Sequence, residues 1–188
     1  MSKLNKKEPY AGSFFCGTTV LTKMNKNAIL YYKNKGVLNI KKINIYSDGA
    51  CLSNPGPGGW CAILTYNNQE KILSGVEAHT TNNKMELLAV ISGLEALKEP
   101  CEVEICTDSK YVADGISKGW AVKWRGNNWI KSDKKPALNA DLWERLLNII
   151  DNHSVKFTWV QGHSGHEYNE RCDEIASAAA REFKKNKN

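Results

Sequence analysis

The sequence predicts an α/β protein, a five-stranded mixed sheet flanked by helices. Three observations lead there. Short apolar runs bounded by Gly, Pro, Asn and Ser alternate with segments of helical periodicity. The first three strand-like runs follow one another directly, as in a β-meander, whereas the later ones are separated by helical segments. The resulting order, β-β-β-α-β-α-α-β-α, implies a mixed sheet with helices covering its faces.

Taken in order, residues 1–42 lack sustained periodicity and are rich in Lys and Asn. They read as a basic, flexible N-terminal extension with at most a short strand at Ile29–Tyr32. The extension is either a disordered tail or a tethering arm for nucleic acid. It has no Arg, and Phe14–Leu21 is short and polar, which argues against a mitochondrial leader or a signal peptide. The texture changes at residue 43, where a folded domain over 43–185 begins. Ile43–Ser47 alternates and ends at Asp48-Gly49. Asn54-Pro-Gly-Pro-Gly-Gly59 forces a turn, because Pro fixes φ and Gly supplies positive φ. Trp60–Tyr66 and Lys71–Ala78 read as two strands joined through Asn67-Asn68.

Thr80-Thr81-Asn82-Asn83 is a helix start signal, and Met85, Leu88, Ile91, Leu94 and Leu97 then repeat at helical spacing until Pro100. Glu102–Cys106 reads as the fourth strand. Thr107-Asp108-Ser109 caps a helix reaching Ser117. A basic, Trp-rich segment occupies 118–135. A helix from Asn139 to Asp151 presents Leu142, Leu146, Leu147 and Ile150 on one face. Val155–Val160 is the fifth strand, and Glu167–Phe183 an Ala-rich closing helix. Residues from Lys184 on, and 186–188 in particular, are expected to fray.

Composition narrows the function. The 188 residues are 41% hydrophobic and 24% charged, as in ordinary soluble globular proteins, and no run is long and apolar enough to span a membrane. Six cysteines without C-x-x-C spacing read as free thiols in a reducing, cytoplasmic setting, neither a disulfide framework nor a zinc site. The net charge of +6 is uneven: nine Lys against Glu8 over residues 1–44, and 17 basic against 19 acidic groups over 45–188. Within the latter, residues 118–135 hold six cations and only Asp133. A compact basic patch on an otherwise acidic body suits a protein that grips a phosphate backbone yet keeps an acidic centre.

Four carboxylates could form that centre: Asp48, Glu86, Asp108 and Asp173, each at a strand end or near a helix start. Any one alone reads as a helix cap or a solvated acid. Brought together they would repel one another, and such an all-oxygen cluster is stable only around divalent cations, Mg²⁺ or Mn²⁺ above all. Two metals bound so can cleave phosphodiesters.

From about Lys42 to Lys185 the chain resembles a type 1 ribonuclease H of the bacterial kind. The resemblance rests on Ser47-Asp-Gly-Ala-Cys51, Asn54-Pro-Gly-Pro-Gly-Gly59, Thr81-Asn-Asn-Lys-Met-Glu-Leu87, Thr107-Asp-Ser109, Asp133-Lys-Lys-Pro136, Asp141-Leu-Trp143 and Trp159-Val-Gln-Gly-His163 through Asn169-Glu-Arg-Cys-Asp-Glu174. It implies a ribonuclease H-like fold with a basic helical protrusion. It also implies an endonuclease that hydrolyses the RNA strand of RNA/DNA hybrids with two Mg²⁺ ions, leaving 5′-phosphate and 3′-hydroxyl ends. Asp48, Glu86, Asp108 and Asp173 fall on the family's metal-binding carboxylates. His163, in a glycine-flanked loop, takes an assisting role in proton transfer or product release. Read without the motif it would be a polar surface residue, and His166 is its only neighbour competitor.

The resemblance further implies RNA-side contacts from Cys51, Asn54, Asn82, Asn83 and Glu86, and a DNA-phosphate site at Thr81 and Asn139. Lys110 stands where bacterial relatives commonly have glutamine. Trp120, Lys123, Trp124 and Arg125 belong to the implied protrusion, in which Asn127 and Asn128 are less basic than in relatives. The partner is then an RNA/DNA hybrid, with no membrane, no obligate protein partner and a monomeric chain. Two rival readings are a non-catalytic hybrid-binding module on the same fold and a related two-metal nuclease acting on DNA.

Overall fold

The structure, a computed structural model, describes residues 20–21 and 40–187. Six strands form one sheet: β1 (Val20–Leu21), β2 (Lys42–Cys51), β3 (Gly56–Tyr66), β4 (Gln69–Thr80), β5 (Glu102–Thr107) and β6 (Ser154–Trp159). Their spatial order is β1-β6-β5-β2-β3-β4. The five long strands are those expected from the sequence. β2, β3 and β4 are antiparallel neighbours, and β5 and β6 run parallel to β2, so the sheet is mixed. Asn67 and Asn68, both at positive φ (48° and 61°), make the two-residue turn between β3 and β4.

The sixth strand falls in the N-terminal extension, at residues for which the sequence reading named no strand. Val20 pairs with Phe157 and Leu21 with Lys156, antiparallel, at the edge of β6. Such a pairing is set by a long-range partner, so two residues carry no local signal for it. The strand expected at Ile29–Tyr32 lies outside the described residues.

Among the described residues five helices complete the domain: α1 (Asn82–Glu95), α2 (Lys110–Ser117), α3 (Trp120–Gly126), α4 (Ala140–Ile150) and α5 (Glu167–Lys187). α1 ends at Glu95, short of Pro100. α5 runs to Lys187, about a turn beyond the point where fraying was expected, with Lys184, Lys185 and Lys187 in its last turn, where cations complement the helix dipole.

Alternation and helical spacing converge on two cores. On one face of the sheet, Ile43, Ile45, Val103, Ile105, Val155 and Phe157 pack against Leu87, Val90, Ile91 and Leu94 of α1 and Leu142, Trp143 and Leu146 of α4. Trp143 is fully buried and donates its indole N–H to Tyr111 Oη (2.9 Å), which satisfies the one polar atom it brings inside. On the other face, Cys61 and Ile63 of β3 meet Cys172 and Ala176 of α5, the contact that seats α5 on the sheet. Cys51, Cys61, Cys101, Cys106 and Cys172 are all free thiols.

Candidate active site

Asp48 does not end its strand. β2 continues to Cys51, paired with β3 throughout, but its parallel pairing with β5 stops at Ser47–Thr107. Asp48 and Asp108 therefore stand side by side where the two strands part. The capping signal at 107–109 resolves the same way. Ser109 is the N-cap of α2, its hydroxyl accepting from Val112 N, and Asp108 is left to face the cleft. The indole N–H of Trp159, at the end of β6, donates to the Asp108 carbonyl (2.9 Å) and holds that backbone in place.

Glu86 comes from α1, one turn past its N-cap Thr81. The approach of α1 to β2 depends on Gly49, where a Cβ would lie 2.3 Å from Glu86 N. Asp173 projects from α5, held by the contact of Cys172 with β3. A cavity of about 300 Å³ collects the four: its lining is Asp48, Gly49, Ala50, Cys51, Asn82, Glu86, Asp108, His163, Asn169, Glu170 and Asp173. Sequence reasoning missed Asn169 and Glu170, although both lie in the motif that contains Asp173.

The electrostatics are those of crowded anions. Burial first, then the charges of Asp108, Asp173 and Glu86, push the Asp48 carboxyl up to about 8, against the opposing Gly49 N–H. Burial likewise raises Glu86, while bonds from Ser109 Oγ (2.5 Å) and Asn82 Nδ2 (2.9 Å) restrain the shift. Among the described residues, no Lys or Arg lines the cavity to compensate. Carboxylate and amide oxygens are the donors hard divalent cations take, so the residue set fits such ions. Among the described residues, no three His, Cys, Asp or Glu side chains converge closely enough to be a ready-made ligand set. Glu86 spends both oxygens on Ser109 and Asn82.

His163 lines the cavity beside Asp108, exposed and in the left-handed region (φ 52°). Gly162 beside it leaves room for Asp108, whose Oδ2 would be 2.6 Å from a Cβ there. His166 instead supports the start of α5, where its Nδ1 accepts from Asn169 N (3.4 Å).

The other candidate residues lie outside the cavity. Asn54 is exposed on the turn before β3, and Thr81 and Asn83 flank Asn82 at the start of α1. Lys110 Nζ stacks over the Trp159 ring (4.8 Å), at the foot of Asp108. Asn139 Nδ2 donates to Tyr111 Oη (3.2 Å). In the protrusion, Trp124 and Trp129 pack against the main core, whereas Trp120 is exposed with Lys118 over its ring (5.0 Å). Lys123 is exposed, and Arg125 reaches Glu144 at 4.0 Å.

Comparison with known proteins agrees with this geometry. Residues 40–181 match the family model described as RNase H. A ribonuclease H of Desulforamulus reducens is 57% identical over 77% of this chain and 91% of its own length. One from Rhizobium johnstonii is 56% identical over 79% of this chain and 97% of its own. Among solved structures, LC9-RNase H1, described as a type 1 RNase H with the type 2 active-site motif, superposes with a TM-score of 0.69 at 29% identity, covering 77% of this chain and 74% of that one. LC11-RNase H1, solved in complex with an RNA/DNA hybrid, gives 0.58 at 25% identity over 75% of this chain and 98% of that one.

Proposed function

The chain belongs to the ribonuclease H family, and on that premise we propose that its acidic cavity cuts the RNA strand of RNA/DNA hybrids, leaving 5′-phosphate and 3′-hydroxyl ends. The observation that carries the reading is the convergence of Asp48, Glu86, Asp108 and Asp173, from four separate places in the chain, on one cavity that no cation among the described residues lines. These four are the groups to hold two Mg²⁺ ions, with Mn²⁺ an acceptable substitute. Bound there, the ions would supply Lewis acidity at the phosphodiester and a lowered pKa for water.

The chain's own residues do the rest. Asp48 and Asp108 fix the site on the sheet, with Trp159 bracing the Asp108 backbone. Cys51, Asn54, Asn82 and Asn83 line the approach of the RNA strand, where amide groups can sense a 2′-hydroxyl. Thr81, Lys110 and Asn139 serve phosphates, and the protrusion, with Trp120 and Lys123 exposed and Arg125 half-buried beside Glu144, grips the duplex backbone. His163, exposed on the cavity lip, handles a proton or helps product leave. The LC11-RNase H1 complex with RNA/DNA hybrid supports this choice of substrate.

The test is cleavage of labelled RNA/DNA, RNA/RNA and DNA/DNA duplexes with Mg²⁺, with Mn²⁺ and with EDTA. Cutting confined to the RNA of the hybrid, and abolished by EDTA, is the expected result. Binding without cutting would instead mean a hybrid-binding module, and cutting of DNA/DNA a DNA nuclease.

A further inference from the structure

The loop that carries His163 sets an exposed imidazole at the cavity lip, and a small set of hydrogen bonds shapes it. Val160 N donates to Thr107 O (3.0 Å) where the chain leaves the sheet, and Ser164 Oγ donates to Gln161 O (2.5 Å) within the loop. His163 and Gly165, one residue apart, both adopt positive φ (52° and 84°). The Gly165 N–H is satisfied by a side chain: Glu170, in the first turn of α5, reaches back and accepts it at Oε1 (2.8 Å).

Glu170 lines the same cavity as the four carboxylates and is half-buried there. Its Oε1 is already engaged with the loop. We propose that Glu170 is a positioning residue for His163, acting through the Gly165 N–H to fix the loop that presents the imidazole. α5 then carries both a cavity carboxylate and the support of the His163 loop, since Asp173 and Glu170 lie one turn apart on it. The inference rests on the assisting role given to His163 above.

Glu170→Gln keeps a carbonyl oxygen at the acceptor position, and Glu170→Ala removes it. The expected result is a kcat for Glu170→Ala within about threefold of that for His163→Ala, with KM for hybrid unchanged, while Glu170→Gln keeps at least about half of the wild-type kcat. In a His163→Ala background, adding Glu170→Ala should cost less than about twofold, because the loop no longer carries anything to position. The Gly165 amide resonance should move in Glu170→Ala and stay in Glu170→Gln. Should Glu170→Ala fail to fold, Glu170→Asp, one methylene too short to reach, takes its place in the same cycle. Wild-type turnover in Glu170→Ala alongside a slow His163→Ala overturns the positioning role and leaves the reading of His163 standing. So does a loss undiminished in the His163→Ala background, or a Glu170→Gln as slow as Glu170→Ala. Wild-type turnover in His163→Ala overturns the reading of His163 itself.

Discussion

The acidic cavity and the basic protrusion place charge in opposite ways. In the cavity four carboxyl groups are held by strands and helices, partly buried, with Asp48 pushed to about 8 by burial and by its neighbours. In the protrusion the cations stand on a short helix and its following turn, mostly exposed. Several are already paired: Lys118 with Asp114 (2.7 Å), Arg125 with Glu144 (4.0 Å) and Lys131 with Asp133 (3.3 Å). Buried like charges interact strongly and each one matters, whereas exposed, screened cations act only in sum. A single change in the cavity should therefore be decisive, and a single change in the protrusion nearly silent.

The strongest way to break that contrast is Asp48→Asn, which removes one cavity charge and almost no volume. Hybrid cleavage should fall by at least roughly a hundredfold, with circular dichroism unchanged. Near-wild-type turnover would remove Asp48 from the site. His163→Ala tests an intermediate case, a side chain exposed like the protrusion's but on the cavity lip. Its rate should drop by about ten- to a hundredfold without vanishing. A variant as inactive as Asp48→Asn would make the assisting role too modest.

Neutralising Lys123, Lys134 and Lys135 together to Gln should weaken hybrid binding gradually. The slope of log K against log salt should become shallower by about 2–3. Single replacements should be hard to distinguish from wild type. Affinity unchanged across the salt titration would take the protrusion out of the interface, and a single lysine carrying the whole effect would erase the distinction between the two regions.

How much of this the sequence disclosed follows the same division between local and long-range order. The alternation in Ile43–Ser47 and the helical spacing from Met85 to Leu94 are local signals, and the strands and helices formed where they pointed. The four carboxylates were legible through their motifs, and the structure gathers them in one cavity. The end of β2 was not legible: Asp48-Gly49 reads as a strand end, but antiparallel pairing with β3 carries the strand on to Cys51. The cap at Thr107-Asp108-Ser109 was ambiguous among three capable side chains, and only the bond from Val112 N shows that Ser109 takes it. Glu170 reads as a surface acid on a polar helix face until the reversed loop beside it is seen. The division of the tryptophans, Trp124 and Trp129 against the core and Trp120 outward, depends on how α3 docks beside α4.

The last test is on stability, and it probes the cavity's charge directly. The folded Asp48 value of about 8 lies above its ordinary 3.8, so between those limits the folded protein binds a proton that the unfolded chain does not. Stability in EDTA should therefore fall as pH rises through that window and level off above it, with a slope of at most about 1.4 kcal/mol per pH unit from this group. Glu86, also raised, adds to the fall with the same sign. In melts at about pH 5 and about pH 8, Asp48→Asn should lose less than wild type, and added Mg²⁺ should restore wild type more than the variant. Identical melting shifts in the two proteins would mean that Asp48 feels no crowding, and the cavity would then lack the repulsion that makes it a site for divalent ions.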